Sequence, residues 1–92
     1  MFDDPAFALA ANRLAGTLIA LGRADEAEKV LTDFLVVRPD YALGHSNLGS
    51  ILHRKGRLPD AIGHYREALR LDQTLVTARG GLANAERGLP PP

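Results

Sequence analysis

Cysteine and tryptophan are absent from this 92-residue sequence, and the other aromatic residues are three Phe and two Tyr. Without cysteine there is no disulfide, no thiolate metal site and no thiol nucleophile, so nothing in the chain calls for an oxidising compartment. Charge of one sign is lacking too. Eleven basic and eleven acidic residues give a formal net charge of zero, which leaves no bulk field to hold nucleic acid or an anionic membrane surface. Long apolar runs are missing as well. The richest stretch, Ala6 to Leu21, is interrupted by Asn12 and Arg13 and is too short to cross a bilayer, and Asp3 and Asp4 stand where a secretory leader would be positive. The expectation is a cytoplasmic chain with a protein or peptide partner, no nucleic acid and no membrane. At 46% hydrophobic and 24% charged residues the composition is that of an ordinary globular chain. Its length fits one domain over 1–92, near the lower limit for a core without covalent or metal staples.

What the sequence does have is a repeat. Shifted by 34 residues against itself, it places identical residues at Ala8/Ala42, Leu9/Leu43, Leu14/Leu48, Leu18/Leu52, Gly22/Gly56, Arg23/Arg57, Ala27/Ala61 and Leu35/Leu69. Ala15/Gly49 and Leu31/Tyr65 add similar pairs, while Val30/His64 is a mismatch. A period of this length belongs to a supersecondary unit that buries its apolar face by stacking on the next one.

The unit reads as a helical hairpin. Leu14, Leu18 and Leu21 recur at spacings of four and three, as do Leu48 and Leu52, which predicts a buried stripe on the first helix of each unit. Ala15 and Gly49 flank that stripe, and Ala27 and Ala61 hold the matching place on the second helix, where small side chains let two backbones approach. Gly22 and Gly56 stand just past the first helices, where a left-handed residue ends a helix at little steric cost. Asp4-Pro5 reads as an N-cap followed by a first-turn proline, Pro39-Asp40 as a stop for the second helix and a cap for the third, and Pro59 as a first-turn residue of the fourth. Helices are predicted at about 5–21, 24–37, 41–55, 58–71 and 75–88.

These residues resemble the tetratricopeptide repeat family, whose 34-residue unit carries Leu, small, aromatic, Gly, Ala, aromatic, Ala and Pro at fixed places. Leu48-Gly49, Leu52, Gly56, Ala61, Tyr65, Ala68 and Leu69-Arg70-Leu71-Asp72 follow that pattern, as do Leu14-Ala15, Leu18, Gly22, Ala27 and Pro39. The stretch from His45 to Leu52 and that from Ala61 to Leu69 look like the superhelical arrays of O-linked N-acetylglucosamine transferases and related bacterial proteins. The resemblance implies an all-α, right-handed α-solenoid of antiparallel helix pairs. It would have one unit at 8–41, a second at 42–75, a capping helix at 76–88 and a proline-rich tail at 89–92. Departures are His45 in place of a large aromatic, Phe34 in place of alanine, Gln73 in place of proline, and Glu86 where the earlier units have Leu18 and Leu52.

In such a stack the first helix of each unit lines a concave groove. By register the groove positions are Asn12, Arg13 and Gly16; Ser46, Asn47, Ser50, His53 and Arg54; and Gly80, Gly81, Asn84 and Arg87. Asparagine can pair with a peptide backbone through one donor and one acceptor, and arginine can reach an acidic side chain or a chain terminus. The candidate partner-binding set is Asn12, Arg13, Ser46, Asn47, Ser50, His53, Arg54, Asn84 and Arg87. In the transferase-type arrays a ladder of asparagines does this work, and Asn47 stands at the ladder position. Of the five positions that grip a carboxylate in chaperone-binding members, here Asn12, Gly16, Asn47, Thr77 and Gly81, only Asn47 fits.

Chemistry finds no support. His45, His53 and His64 lack the i, i+4 spacing of a helical zinc pair, and no acid stands with Ser46 or Ser50 in the pattern of an activated nucleophile. Catalytic and metal residues are therefore none, and no cofactor is expected. His45 is read as a half-buried packing residue, with His53 and His64 at the surface. Arg79-Gly80-Gly81 is read as ordinary helix, not as part of an RNA-binding tract. The glycines at 80, 81 and 88 make the last helix marginal alone, since each interior glycine costs roughly 1 kcal/mol relative to alanine. Phe2 and Phe7 lie outside the hairpin core and could form a patch. The functional expectation is a scaffold or adaptor that binds a peptide or extended protein segment. The alternatives are a homo-oligomerising module joined through its end helices, or a repeat fragment of a larger glycosyltransferase or sulfotransferase.

Overall fold

Glycine and proline punctuate the apolar periodicity, and the elements follow that punctuation. The computed structural model describes residues 5–92. Its helices are α1 (Pro5–Ala20), α2 (Ala24–Val37), α3 (Ala42–Arg54), α4 (Leu58–Leu71) and α5 (Val76–Glu86), with no strand among the described residues. Each boundary falls within two residues of its expected place, and the all-α helical-repeat solenoid is the architecture observed. Asp4, expected to cap α1, and Phe2 lie outside the described residues.

The first helix of each pair ends in the same way. Gly22 has φ +76° and Gly56 φ +78°. Their N–H groups donate to Ile19 and His53, while Arg23 and Arg57 donate to Leu18 and Leu52. This double closure occupies carbonyls that a helix end leaves open. Gly88, φ +70°, does the same for α5, with its own N–H on Ala85 and that of Leu89 on Asn84. Gly88 is thus a cap and not a helix-interior residue. It comes two residues before the 34-residue register would place it.

The other ends depart from expectation. Asp40 does not cap α3: Tyr41 is the N-cap, without a side-chain bond, and the Asp40 carboxylate instead accepts from Arg38 Nε at 3.3 Å. Where Gln73 replaces the expected proline, Asp72 Oδ1 accepts from both the N–H and the hydroxyl of Thr74, building a turn from side-chain bonds. Those bonds hold the Asp72 carboxyl below its ordinary range.

The core runs through all five helices: Ala15 and Leu18, then Ala27, Leu31 and Leu35, then Leu48, Ile51 and Leu52, then Ala61, Tyr65 and Ala68, and finally Ala78 and Ala85. Ala15, Ala27 and Ala61 are fully enclosed, as close backbone approach requires. The predicted stripe on α1 is only partly buried. Leu18 is inside, but Leu14 is 49% exposed and Leu21 is exposed too, whereas Leu48 is 3% exposed. The reason is neighbours: α3 packs against α1, α2, α4 and α5, whereas α1 packs among the described residues only against α2 and α3. Phe34 fills its alanine position by edge contact with Tyr41, ring centroids 5.5 Å apart, and tilted contact with Phe7 at 5.8 Å.

Helix α1 touches α3 and α3 touches α5, while α2 and α4 do not touch. A row packed more closely along its first helices than along its second bends toward the first, so α1, α3 and α5 form the inner face.

Candidate functional site

Three helices supply the inner face, and the middle one behaves differently from its flanks. Arg13 on α1, Arg54 at the end of α3 and Arg87 just past α5 are exposed. Asn12 and Asn47 are half-buried and joined, with Asn47 Nδ2 donating to Asn12 Oδ1. That contact uses one donor and one acceptor and leaves the Asn47 carbonyl and the Asn12 amide group for other partners.

Two of the nine candidate residues are not at the surface. Ser46 is wholly enclosed and its hydroxyl has no hydrogen-bond partner. His53, read as a surface residue, is 4% exposed. The cause is the position of α3, which packs against α1, α2, α4 and α5 and so has little free circumference.

His53 is held from both sides. Its Nε2 lies 2.6 Å from the Leu89 carbonyl and its Nδ1 3.1 Å from the Tyr65 hydroxyl. A carbonyl only accepts, so Nε2 carries the proton and, in the neutral ring, Nδ1 accepts from Tyr65. The phenol's own proton therefore points at His53. Tyr65, His53 and Leu89 thus form one directed chain. Burial pushes the Tyr65 phenol above its ordinary value, partly opposed by Ser50 and by the charge of Arg54.

The tail completes this side of the face. Asn84 Nδ2 donates to the Pro90 carbonyl at 3.0 Å, and a Cβ at Gly80, one turn earlier on α5, would stand 3.6 Å from the Pro92 ring. Three of the predicted groove positions, His53, Gly80 and Asn84, are therefore in contact with residues 89–92.

A second histidine arrangement lies between α3 and α4. His45 is buried, and His64, expected at the surface, is half-buried and stacked on it, with centroids 5.4 Å apart. His45 Nε2 donates to the Pro39 carbonyl at 2.8 Å, so its Nδ1 receives the Nδ1–H of His64 at 3.1 Å. Burial, followed by the nearby His45, lowers the His64 pKa below its ordinary 6.5, against Asp60 and Glu67. No group of three His, Cys, Asp or Glu among the described residues is placed to hold a metal.

The outer side is an ion-pair lattice. Lys55 bridges Asp25 and Glu28, and Arg57 bridges Glu28, at 3.0 Å, and Asp60, at 3.1 Å. Lys55 is the main reason the Glu28 carboxyl lies below its usual value. Glu86, at the position of Leu18 and Leu52, pairs with Arg66 at 3.0 Å, which suits a helix with one polar side. At the α1 end, Phe7, Ala10, Ala11 and Leu14 with Val30, Asp33, Phe34 and Val37 line an open apolar groove of about 470 Å³. No helix among the described residues is long and apolar enough to cross a membrane.

Sequence reasoning missed the tail as a groove contact and Tyr65 as the residue that orients His53. The sole sequence signal for the first was a glycine followed at once by Leu89 and three prolines. The sequence profile of the tetratricopeptide repeat family matches residues 12–75, which takes in α2, α3, α4 and most of α1. No curated protein matches the chain.

Proposed function

Because the chain belongs to the tetratricopeptide repeat family, whose units are protein–protein interaction modules, we propose that it binds an extended protein segment along the inner face as a scaffold or adaptor. The observation that carries this reading is the state of the basic residues. Arg23, Lys29, Arg38, Lys55, Arg57, Arg66 and Arg70 pair with carboxylates, and Arg79 donates to the Gln73 carbonyl. Among the described residues only Arg13, Arg54 and Arg87 have no such bond, and all three are groove positions.

Guanidinium groups left unpaired on one face suit carboxylates presented by a chain with no fold of its own, with Asn47 pairing to its backbone. Selection from a library of short unstructured peptides tests this. Acidic sequences should be enriched, and the enrichment should vanish in the Arg13→Glu/Arg54→Glu double variant. Enrichment that survives the double reversal removes the groove reading.

A second reading, self-association through an end helix, is favoured by the apolar groove at Phe7, Leu14 and Val37. The location in the cell that goes with either reading is cytoplasmic, and neither assigns the chain chemistry of its own.

A further inference from the structure

Residues 88–92 are held as a groove holds a ligand. Gly88 ends α5 and turns the chain, after which Leu89 and Pro90 present their carbonyls to His53 Nε2 and Asn84 Nδ2 at 2.6 and 3.0 Å. Pro92 lies over Gly80, a groove position with no side chain to meet its ring. Both side-chain groups in these contacts are donors. His53 is fixed as a donor by the Tyr65 hydroxyl on its other nitrogen, and the amide nitrogen of Asn84 can only donate. A wall of donors suits a segment that brings carbonyls and no N–H groups, which is what consecutive prolines are, and their preferred extended helix leaves those carbonyls outward.

We propose that the α3–α5 part of the inner face recognises extended proline-rich segments of a partner protein, and that residues 89–92 occupy this subsite as an internal competitor. The proposal rests on the groove reading above and deepens it by naming the class of segment. A short tether holds the tail at an effective concentration of roughly millimolar, so an external segment binds weakly until the tail is displaced.

The test uses the full chain, as wild type and as a variant with Pro90→Gly, Pro91→Gly and Pro92→Gly. The probe is a fluorescent peptide of sequence Gly-Leu-Pro-Pro-Pro-Gly, with an alanine-for-proline control. By anisotropy the tail variant should bind the proline peptide roughly tenfold or more tightly than wild type. Addition of Asn84→Ala to that variant should weaken binding roughly threefold to tenfold, as expected for one lost hydrogen bond. The Asn84 side-chain amide signal should shift on titration.

Equal binding by wild type and tail variant overturns the competitor role, and equal binding of both peptides overturns the proline preference. Binding that leaves the Asn84 amide unmoved overturns the subsite. Should the triple variant lose its helical signal, Pro92→Gly alone and displacement of the wild-type tail by saturating peptide give the same readout. A partner bound through Arg13 and Arg54 that contains no proline would sink this inference and leave the groove reading standing.

Discussion

Tyr65 occupies the slot that a side chain at position 81 would need: a Cβ on Gly81 would stand 2.6 Å from Tyr65 Cε1, and one on Gly49 3.0 Å from the same atom. One ring from α4 is thus clasped between backbone of α3 and backbone of α5. This explains why the last helix tolerates a glycine pair. At position 81 the lost helix propensity is exchanged for close approach to a buried aromatic.

A glycine series separates the two effects. Gly63, on the exposed side of α4, has nothing within 4 Å of an added Cβ. Gly63→Ala should stabilise the fold by about 0.5–1 kcal/mol through helix propensity. Gly81→Ala gains the same propensity but must displace Tyr65, and should destabilise by about 1–3 kcal/mol. Denaturant midpoints for the two variants should move in opposite directions. Movement in the same direction would remove the clasp as the explanation.

Most of the fold was legible because its signals are local. Gly22 and Gly56 fix helix ends through their own backbone, Pro59 through its missing N–H, and Ala27 and Ala61 through the size of one side chain. The misreadings of burial depend on partners far along the chain, whereas Asp40, expected as a cap, pairs with its near neighbour Arg38 instead. Ser46 and His53 were assigned outward by helical register, which does not record that α3 has helices on four sides. Leu14 was assigned inward by the same register, which does not record that a first helix has no predecessor among the described residues. The His45–His64 stack joins positions equivalent to Ala11 and Val30, and nothing at either position alone announces a pair.

Removing the Tyr65 hydroxyl should reach further than a surface change of one atom. Tyr65→Phe keeps the ring between Gly49 and Gly81 but leaves the buried Nδ1 of His53 without its donor. The expected loss is about 1–3 kcal/mol, the usual penalty for a buried polar group left unpaired. The tail contact should loosen with it, since His53 Nε2 is aimed at Leu89 through that bond. Urea unfolding measures the first effect, and faster proteolysis after Gly88 the second. A neutral midpoint would show that His53 finds another donor.

Stability should fall on mild acidification, and His64 should be a principal cause. Its folded pKa lies below the ordinary 6.5 because burial and His45 disfavour the charged ring. The unfolded chain then binds more protons than the folded one as pH drops, so the contribution is complete above about pH 6.5 and is lost below it. Carboxyls held low by their partners, Glu28, Glu67 and Asp72, act in the same direction but only in the more acidic carboxylate range. Melting temperatures for wild type and His64→Gln should therefore converge between about pH 7 and pH 5, with the variant nearly flat across that window. Parallel curves would place the pH dependence elsewhere.

Leu14 and Leu48 hold one repeat position in two environments, and the pair tests the open end of the stack. Leu48 is buried on α3, which has helices on four sides, so Leu48→Ala should cost about 2–5 kcal/mol through lost burial and the cavity left behind. Leu14 is half-exposed on the rim of the apolar groove, so Leu14→Ser should change monomer stability by less than about 1 kcal/mol. If that groove joins two copies, as the second functional reading holds, Leu14→Ser should lower the mass seen by light scattering at high micromolar concentration while the helical signal stays unchanged. A wild-type chain that scatters as a monomer throughout that range would eliminate self-association at this end.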